Sequence, residues 1–189
     1  MMKKRPFEES TTAHFLFKLM ARVMENPLRR KINDPVRALK AAGIRSGIMV
    51  LEVGCGTGFF TIPAAHLVGS KGRVNALDIH PLAIKEVSNK IQEAGLENVS
   101  LTKANAVNTE LSSNSVDLIL LFGVIPSPTL PLSQLLPEMY RLLKEKGTMA
   151  VWTTIPFYLV KSITKGRQFS YVGKKSGVYN FRKVTSGEI

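Results

Sequence analysis

Between residues 49 and 60 the sequence runs Met49-Val50-Leu51-Glu52-Val53-Gly54-Cys55-Gly56-Thr57-Gly58-Phe59-Phe60. Residues Ile48 to Leu51 are apolar and predict a short buried strand, and an apolar pattern with helical spacing resumes after the glycines. The stretch therefore predicts a strand, a tight loop and the N-terminus of a helix. Glycines at alternate positions give the loop dihedral angles closed to other residues, and a ligand can approach the backbone without meeting a Cβ.

The glycine spacing separates two classes of ligand. A dinucleotide loop needs G-x-G-x-x-G/A, in which the third small residue allows close packing of the helix, and Phe59 occupies that place here. The observed order, Gly54-x-Gly56-x-Gly58 preceded by Glu52, resembles motif I of the class I S-adenosylmethionine-dependent methyltransferases. Their cofactor carries an ammonium and a sulfonium, so an acidic residue at the entrance of the loop is electrostatically suited to it. A nicotinamide-dependent oxidoreductase is the remote alternative.

Length and composition limit the class of protein that the sequence can encode. A chain of 189 residues, 44% hydrophobic and 21% charged, predicts one globular domain. The longest uncharged apolar run, Leu118 to Pro126, is about half of what a membrane span needs, and the basic N-terminus lacks the apolar region of a secretory signal. Cys55 is the single cysteine, so no internal disulfide can form and a reduced, cytoplasmic protein is expected.

Two helices are predicted ahead of the glycine loop. Residues 11–24 have the spacing of an amphipathic helix, and one side carries Phe15, Leu16, Leu19, Met20, Val23 and Met24. The second runs from Asp34, the N-cap, through Pro35 at the first helical position to Ala42, with Gly43 just past its end.

Alternating helices and strands follow the loop. Helices are predicted over Phe60 to Val68, Pro81 to Ala94 and Leu135 to Gly147, and strands over Arg73 to Leu77, Val99 to Lys103, Leu118 to Phe122 and Thr148 to Thr153. The third of these helices is expected to end at its glycine. The helix from Pro81 is expected to bury Leu82, Ile84, Val87 and Ile91. Asp117 precedes the fourth strand, so it is expected to cap or pair structurally at the edge of the sheet away from the ligand.

The end of the chain completes the predicted sheet. Residues 169–172 and 178–181 are alternating runs joined by a five-residue loop, Gly173 to Gly177, and predict a β-hairpin. Class I methyltransferases end their sheet with such a hairpin, and the resemblance extends over about residues 48–183. It implies an α/β fold: a Rossmann-like, doubly wound, mostly parallel seven-stranded sheet with a C-terminal antiparallel hairpin and an N-terminal helical extension. The predicted single methyltransferase domain spans residues 1–189, divided into N-terminal helices (1–47), a cofactor-binding core (48–155) and a C-terminal helix and hairpin region (156–189).

Candidate cofactor residues follow from these positions. Asp78 ends the second strand, where a carboxylate can accept hydrogen bonds from ribose hydroxyls; the alternative is capping of the helix that starts at Pro81. The resemblance places the adenine amino group at Asn105, where the family usually has an acidic residue. The complete predicted set for S-adenosylmethionine is Glu52, Gly54, Cys55, Gly56, Gly58, Asp78, Ile79, Asn105, Ala106 and Phe122.

No catalytic residue is identified from the sequence. Methyl transfer from a sulfonium is a direct displacement, so alignment of the acceptor can suffice without a base. His66 falls within a helix, His80 is expected to flank the cofactor, and His14 begins the N-terminal helix, so none is assigned as a general base. The lone cysteine and the scattered histidines have no metal-ligand spacing, and no metal is predicted.

The methyl acceptor is inferred from absences and charge. A D/N-P-P-aromatic turn, typical of amino-methylating nucleic-acid enzymes, is missing after the fourth strand, and the overall character is closest to the branch that includes quinone and phospholipid methyltransferases. Residues 1–48, 49–156 and 157–189 carry net charges of +7, −1 and +6. The basic flanks and the apolar stripe suit a small or amphipathic acceptor and peripheral contact with an anionic membrane, although the helix could equally pack on the core and the charge could simply favour solubility. A methyltransferase for RNA or protein and a non-catalytic cofactor-binding module remain alternatives, with nucleic acid the less favoured partner.

Overall fold

The computed structural model describes residues 34–156 and 158–185 and the separate positions 15, 17, 19, 21 and 22. The described strands are β1 (Met49–Val53), β2 (Arg73–Asp78), β3 (Val99–Lys103), β4 (Val116–Phe122), β5 (Leu143–Trp152), β6 (Phe169–Lys175) and β7 (Val178–Lys183). They form one seven-stranded sheet in the order β3-β2-β1-β4-β5-β7-β6. Strands β1 to β5 pair in parallel, and β7 pairs antiparallel with both β5 and β6. The predicted fold class is confirmed.

Helices cover both faces of the sheet. Those with described bounds are α1 (Pro35–Ala41), α2 (Thr61–Val68), α3 (Pro81–Glu93), α4 (Leu132–Leu142) and α5 (Leu159–Thr164). Side chains of α1, α2 and α3 form one core with one face of the sheet, and side chains of α4 and α5 form a second core with the other face. Burial on both faces explains why β4 is almost entirely apolar.

Local signals set the first helix ends as predicted. Asp34 caps α1, since its Oδ1 accepts a hydrogen bond of 2.9 Å from the backbone N–H of Val36. Helix α2 ends at Gly69, whose φ is +66°. Helix α3 fully buries Ala83 and Val87, whereas Leu82, Ile84 and Ile91 are half-buried, so its predicted buried side is correct only in part.

Several element boundaries differ from prediction, among them the starts of β4 and α4, at Val116 and Leu132. Strand β1 begins one residue later than predicted and extends through Val53. The predicted helix ending at Gly147 is wrong beyond Leu142, because Leu143 has extended dihedral angles and starts β5. Leu143 is fully buried beside Val116 of β4, and the ammonium of Lys144 lies 2.8 Å from the carboxylate of Asp117. Asp117 also accepts a hydrogen bond from the N–H of Met49, which confirms its structural role.

The C-terminal hairpin is present, with a shorter turn than predicted. Lys175 pairs with Val178, so only Ser176 and Gly177 form the turn. Both have positive φ, 47° and 80°, as a two-residue hairpin turn requires. The register shifts before Gly173, which therefore belongs to a bulge in β6 and not to the turn.

A buried carboxylate joins α4 to the loop after β3. Glu138 accepts hydrogen bonds from the N–H and hydroxyl of Thr109, at 3.0 and 2.7 Å, and from the guanidinium of Arg141 at 2.8 Å. The Arg141 hydrogen bond is the main reason that the pKa of Glu138 falls to about 2. This network fixes the loop that leads into β4.

The N-terminal helix prediction lies mostly outside the described residues. Positions 15, 17, 19, 21 and 22 are helical, so a helix is present there. Phe15 and Leu19, which belong to the predicted apolar stripe, are exposed rather than packed on the core. Leu16, Met20, Val23 and Met24 are not among the described residues, and neither is His14.

Two features are absent from the described residues. No helix among them combines the length and apolarity needed to cross a membrane. No three histidine, cysteine, aspartate or glutamate side chains of the described ranges lie together as a metal-binding group.

Candidate active site

The carboxyl ends of the parallel strands open into a cavity of about 810 Å³. It lies where the strand order reverses between β1 and β4, the usual ligand position in an open α/β sheet. Its walls come from the glycine loop, the tips of β2 and β3, the loop after β4, the end of β5, and two residues of the N-terminal helix.

Nine of the ten predicted cofactor residues line this cavity: Glu52, Gly54, Cys55, Gly56, Asp78, Ile79, Asn105, Ala106 and Phe122. Gly58 does not. Its φ is +82°, and a Cβ placed on it would lie 3.3 Å from Cγ2 of Val87 in α3. Gly58 therefore allows the loop to pass closely over α3, and it is not among the residues that line the cavity.

The glycine loop is tied to the neighbouring strand tip. The N–H groups of Gly54 and Cys55 both donate to the carbonyl of Leu77, at 2.8 and 3.0 Å. A Cβ on Gly54, whose φ is +72°, would overlap Cγ1 of Val124 in the loop after β4. The bare backbone at Gly54 thus accommodates a protein side chain as well as bordering the cavity.

Asp78 is oriented by two backbone donors. Its Oδ2 accepts from the N–H of Gly56 at 3.0 Å, and its Oδ1 accepts from the N–H of His80 at 2.8 Å. The cap of α3 is His80, whose Nδ1 accepts from the N–H of Leu82 at 3.2 Å. Asp78 therefore does not cap this helix, and its half-buried carboxylate borders the cavity with lone pairs remaining for a ligand.

Glu52 lies deeper, at the base of the glycine loop. The residue is 3% exposed, and its Oε2 accepts a hydrogen bond of 2.6 Å from the hydroxyl of Thr61. Burial raises the pKa of the Glu52 carboxyl to about 8, and the nearby Asp78 adds to the rise, whereas the hydrogen bond from Thr61 opposes it. The cavity floor therefore holds a carboxyl group that becomes an anion readily once a cation lies beside it.

The remaining predicted residues have simpler surroundings. The Cys55 thiol is buried and its pKa is raised above the ordinary value, chiefly by burial, so it is not an activated nucleophile. Asn105 is exposed, and its Oδ1 accepts a hydrogen bond of 3.1 Å from the N–H of Val107. The ring of Phe122 packs edge-on against Phe60, with ring centroids 4.9 Å apart.

Sequence reasoning missed much of the cavity wall. The unpredicted lining residues include Phe17, Ala21, Phe59, Phe60, Leu77, Gly123 to Leu130, and Trp152 to Ile155. Of these, the loop after β4 had a usable signal, because its prolines follow a fully apolar strand at the carboxyl edge. The others are apolar side chains with no distinctive pattern.

The described histidines do not point to a base. His66 is exposed on α2 and lies at the opposite edge of the sheet, beside Met49. The ring of His80 stacks on Phe17, with centroids 4.7 Å apart and planes 13° from parallel. His80 therefore connects α3 to the N-terminal helix, which covers part of the cavity through Phe17 and Ala21.

Strand order, the closing antiparallel hairpin and a glycine loop facing an acidic strand tip together define a class I methyltransferase-like fold. The chain belongs to the Methyltransferase domain family, whose model matches residues 44–169. The resemblance inferred from the sequence is confirmed.

Individual relatives agree with this assignment. The chain is 36% identical over 113 residues to a demethylmenaquinone methyltransferase of Listeria welshimeri, covering 59% of this chain and 47% of that protein. A demethylmenaquinone methyltransferase of Geobacillus is 32% identical over 127 residues, covering 67% and 53%. The chain thus spans about half the length of the curated relatives it matches.

Solved structures show the same fold. A SAM-dependent methyltransferase from Aquifex aeolicus aligns with a TM-score of 0.76 at 23% identity, covering 88% of this chain and 98% of that one. A SAM-dependent O-methyltransferase from Thermotoga maritima aligns with a TM-score of 0.64 at 18% identity, covering 80% and 65%.

Proposed function

We propose that this protein is an S-adenosylmethionine-dependent methyltransferase acting on a small or amphipathic acceptor. The observation that carries the proposal is the placement of nine predicted cofactor residues around one cavity at the switch point of the sheet. Two carboxyl groups of different character, Glu52 and Asp78, border the same space, as a ligand with both cationic and hydroxyl groups requires.

The chemistry of the donor set fits this cofactor. Glu52 would face the ammonium and sulfonium, since a neighbouring cation favours ionisation of its buried carboxyl. Asp78, held by the N–H groups of Gly56 and His80, would accept hydrogen bonds from the ribose hydroxyls. Ile79 and Ala106 would flank the adenine, beside Asn105.

The protein's contribution to catalysis would be alignment and exclusion of water. When bound, the cofactor supplies an electrophilic methyl group and its own leaving group. Among the described lining residues, the ionisable ones are Glu52, Cys55 and Asp78, and all three belong to the set proposed to hold the cofactor. The acceptor side would be formed by apolar and small polar groups, which orient an acceptor. Where the methyl group replaces a hydrogen of the acceptor, the displaced proton would leave to solvent water.

The acceptor is proposed from the cavity wall and from the relatives' names. Phe60, Phe122, Trp152 and the proline-containing loop provide flat and apolar surfaces suited to an aromatic ring with an apolar substituent. The curated relatives are named demethylmenaquinone methyltransferases, so a quinone-type ring is the first acceptor to test. We propose that the protein meets it at the surface of an anionic membrane, from the cytoplasmic side.

Cofactor binding can be tested by thermal denaturation. S-adenosylmethionine or its demethylated product should raise the melting temperature, and NAD should not, because a ligand bound only by the folded state stabilises it. Gly56→Leu should abolish the shift. Gly95→Leu is the matched control. Gly95 has a φ of +59°, close to the +54° of Gly56, and it lies in open space just past the C-terminal end of α3. A shift with NAD alone, or a shift kept by Gly56→Leu, would contradict the assignment.

Methyl transfer can be tested with labelled cofactor. The protein would be incubated with radiolabelled S-adenosylmethionine and demethylmenaquinone, chemically reduced to the nucleophilic hydroquinone, in detergent micelles, with transfer RNA and a protein extract as parallel acceptors. Label in the quinone fraction is expected. Label confined to RNA or protein would replace the acceptor class, and cofactor binding without transfer to any fraction would indicate a non-catalytic binding module.

A further inference from the structure

Exposed apolar side chains collect around the mouth of the cavity. Seven large apolar residues are exposed among the described positions, and two of them, Ile79 (43%) and Ile155 (56%), line the cavity. Phe15 (66%) and Leu19 (52%) belong to the helix whose Phe17 and Ala21 line it, and Tyr158 (81%) follows Ile155 by three residues. The other two, Tyr171 and Val172, lie on the edge strand β6. Ile79 and Ile155 themselves line the cavity, so the apolar surface continues from the interior to the outside.

The N-terminal helix contributes both an inner and an outer apolar side. Phe17 and Ala21 are four residues apart and line the cavity. Phe15 and Leu19 are likewise four residues apart, and a shift of two residues places them on the opposite side of a helix. The helix therefore covers the cavity with one apolar side and presents a second apolar side outward, which a helix that only packs on a core does not need.

Positive charge lies at the same edge of the sheet. Arg22, three residues after Leu19, is exposed. Lys174 and Lys175 end β6 next to the hairpin turn, and that turn is adjacent to the cavity wall, because a Cβ on Gly177 would lie 3.5 Å from Nε1 of Trp152. An apolar rim with basic neighbours matches the interface of an anionic bilayer, in which apolar side chains enter the acyl boundary and cations meet the headgroups.

We infer that this rim, Phe15, Leu19, Ile79, Ile155 and Tyr158, is a docking face for an anionic lipid bilayer. When the rim is inserted in the bilayer, the cavity mouth opens directly into the lipid. An acceptor with an apolar tail then enters the cavity without crossing water. The inference rests on the proposed function for the identity of the acceptor. The contact with lipid itself depends only on the rim and its charged neighbours.

Vesicle sedimentation of the full chain tests the docking face. The probes are vesicles of phosphatidylcholine alone and of phosphatidylcholine with phosphatidylglycerol, at low and high salt. The wild-type protein should bind the anionic vesicles more strongly, and high salt should weaken that binding. Phe15→Ser/Leu19→Ser should lower the partition coefficient about tenfold or more, since it removes two side chains that would be buried in lipid.

A matched control separates this effect from general surface change. Val172 is 53% exposed, nearly the same as Leu19, but lies away from the rim, so Val172→Ser should bind vesicles as the wild type does. Neither Phe15 nor Leu19 lines the cavity, so the melting shift with cofactor should persist in the double variant. That shift also verifies that the variant is folded.

Several results would overturn the docking face. Equal binding to neutral and anionic vesicles, equal losses in Val172→Ser and the double variant, or binding to RNA but not to vesicles would each do so. A dimer that Phe15→Ser/Leu19→Ser converts to monomer, without any vesicle binding, would assign the rim to a second copy of the chain. Failure of the proposed function would appear differently, as vesicle binding retained without methyl transfer or a cofactor-induced melting shift.

Discussion

The buried carboxyl of Glu52 should make cofactor affinity depend on pH. Because its pKa is about 8, the group is protonated at pH 6 in the unliganded protein. A bound ammonium or sulfonium favours the ionised form, so binding releases the proton. Each pH unit between 6 and 8 should then add about 1.4 kcal/mol to the binding free energy, or roughly tenfold in affinity, and the gain should level off above pH 8.

Glu52→Gln isolates this contribution. Titration calorimetry with S-adenosylmethionine from pH 6 to 9 gives Kd for both proteins, and the ratio of the two values cancels titration of the ligand's own amino group. The affinity advantage of the wild type should rise about tenfold per unit up to pH 8. In buffers of different ionisation enthalpy at pH 7, the wild type should release about 0.9 proton more than the variant.

A constant ratio of affinities across this range, or equal proton release by the two proteins, would show that Glu52 does not face the cation.

The pH dependence of the unfolding free energy without ligand tests the same pKa separately. The folded-state pKa lies above the ordinary value of 4.5, so burial of Glu52 should cost no stability below about pH 4.5. Relative to Glu52→Gln, the wild type should therefore lose unfolding free energy as the pH rises from about 4.5 to 8.

Three further substitutions address other parts of the site and its support. Glu138→Gln should lower the unfolding free energy, measured by urea titration, by about 1–3 kcal/mol at pH 7. The difference between the two proteins should shrink as the pH falls from about 4.5 to 2, because the carboxylate of Glu138 in the native protein becomes protonated there. Equal pH dependence of the two proteins would contradict this. Gly54→Ala should cost about 2–5 kcal/mol in the same titrations, from its positive φ and the overlap with the loop after β4; a loss below 1 kcal/mol would refute the close contact. His80→Ala should lower the unfolding free energy by about 1 kcal/mol through loss of the helix cap, but it should slow methyl transfer less than tenfold. His66→Ala is the control. A loss of about 10³-fold in the methyl-transfer rate at constant cofactor affinity would identify His80 as a base.

The sequence predicts those parts of the structure whose causes are local. Asp34 and Pro35 specify the start of α1, and Gly69 specifies the end of α2, because a cap or a positive φ depends on a few neighbouring residues. The change from helix to strand at Leu143 was not predictable in this way. Residues 135–146 fit a continuing helix, and the decisive contacts, with Val116 and Asp117, come from a distant strand.

The candidate site likewise has a part that the sequence predicts and a part that it does not. Glu52 and Asp78 have signatures in residue type and position, and the structure brings both to one cavity. The remaining cavity wall, represented by Trp152 and Phe17, consists of apolar side chains that become neighbours only after folding. Spacing alone assigns Gly58 to the ligand, whereas in the structure a side chain at Gly58 would meet Val87.

The contact between Gly54 and Val124 constrains any redesign of the acceptor pocket. Val124 belongs to the loop proposed to contact the acceptor, yet its methyl group occupies the space that a side chain at Gly54 would need. Substitutions that reposition the loop to admit a larger acceptor would therefore be transmitted to the cofactor loop. In directed evolution, substitutions at these two positions should therefore change acceptor range and cofactor affinity together.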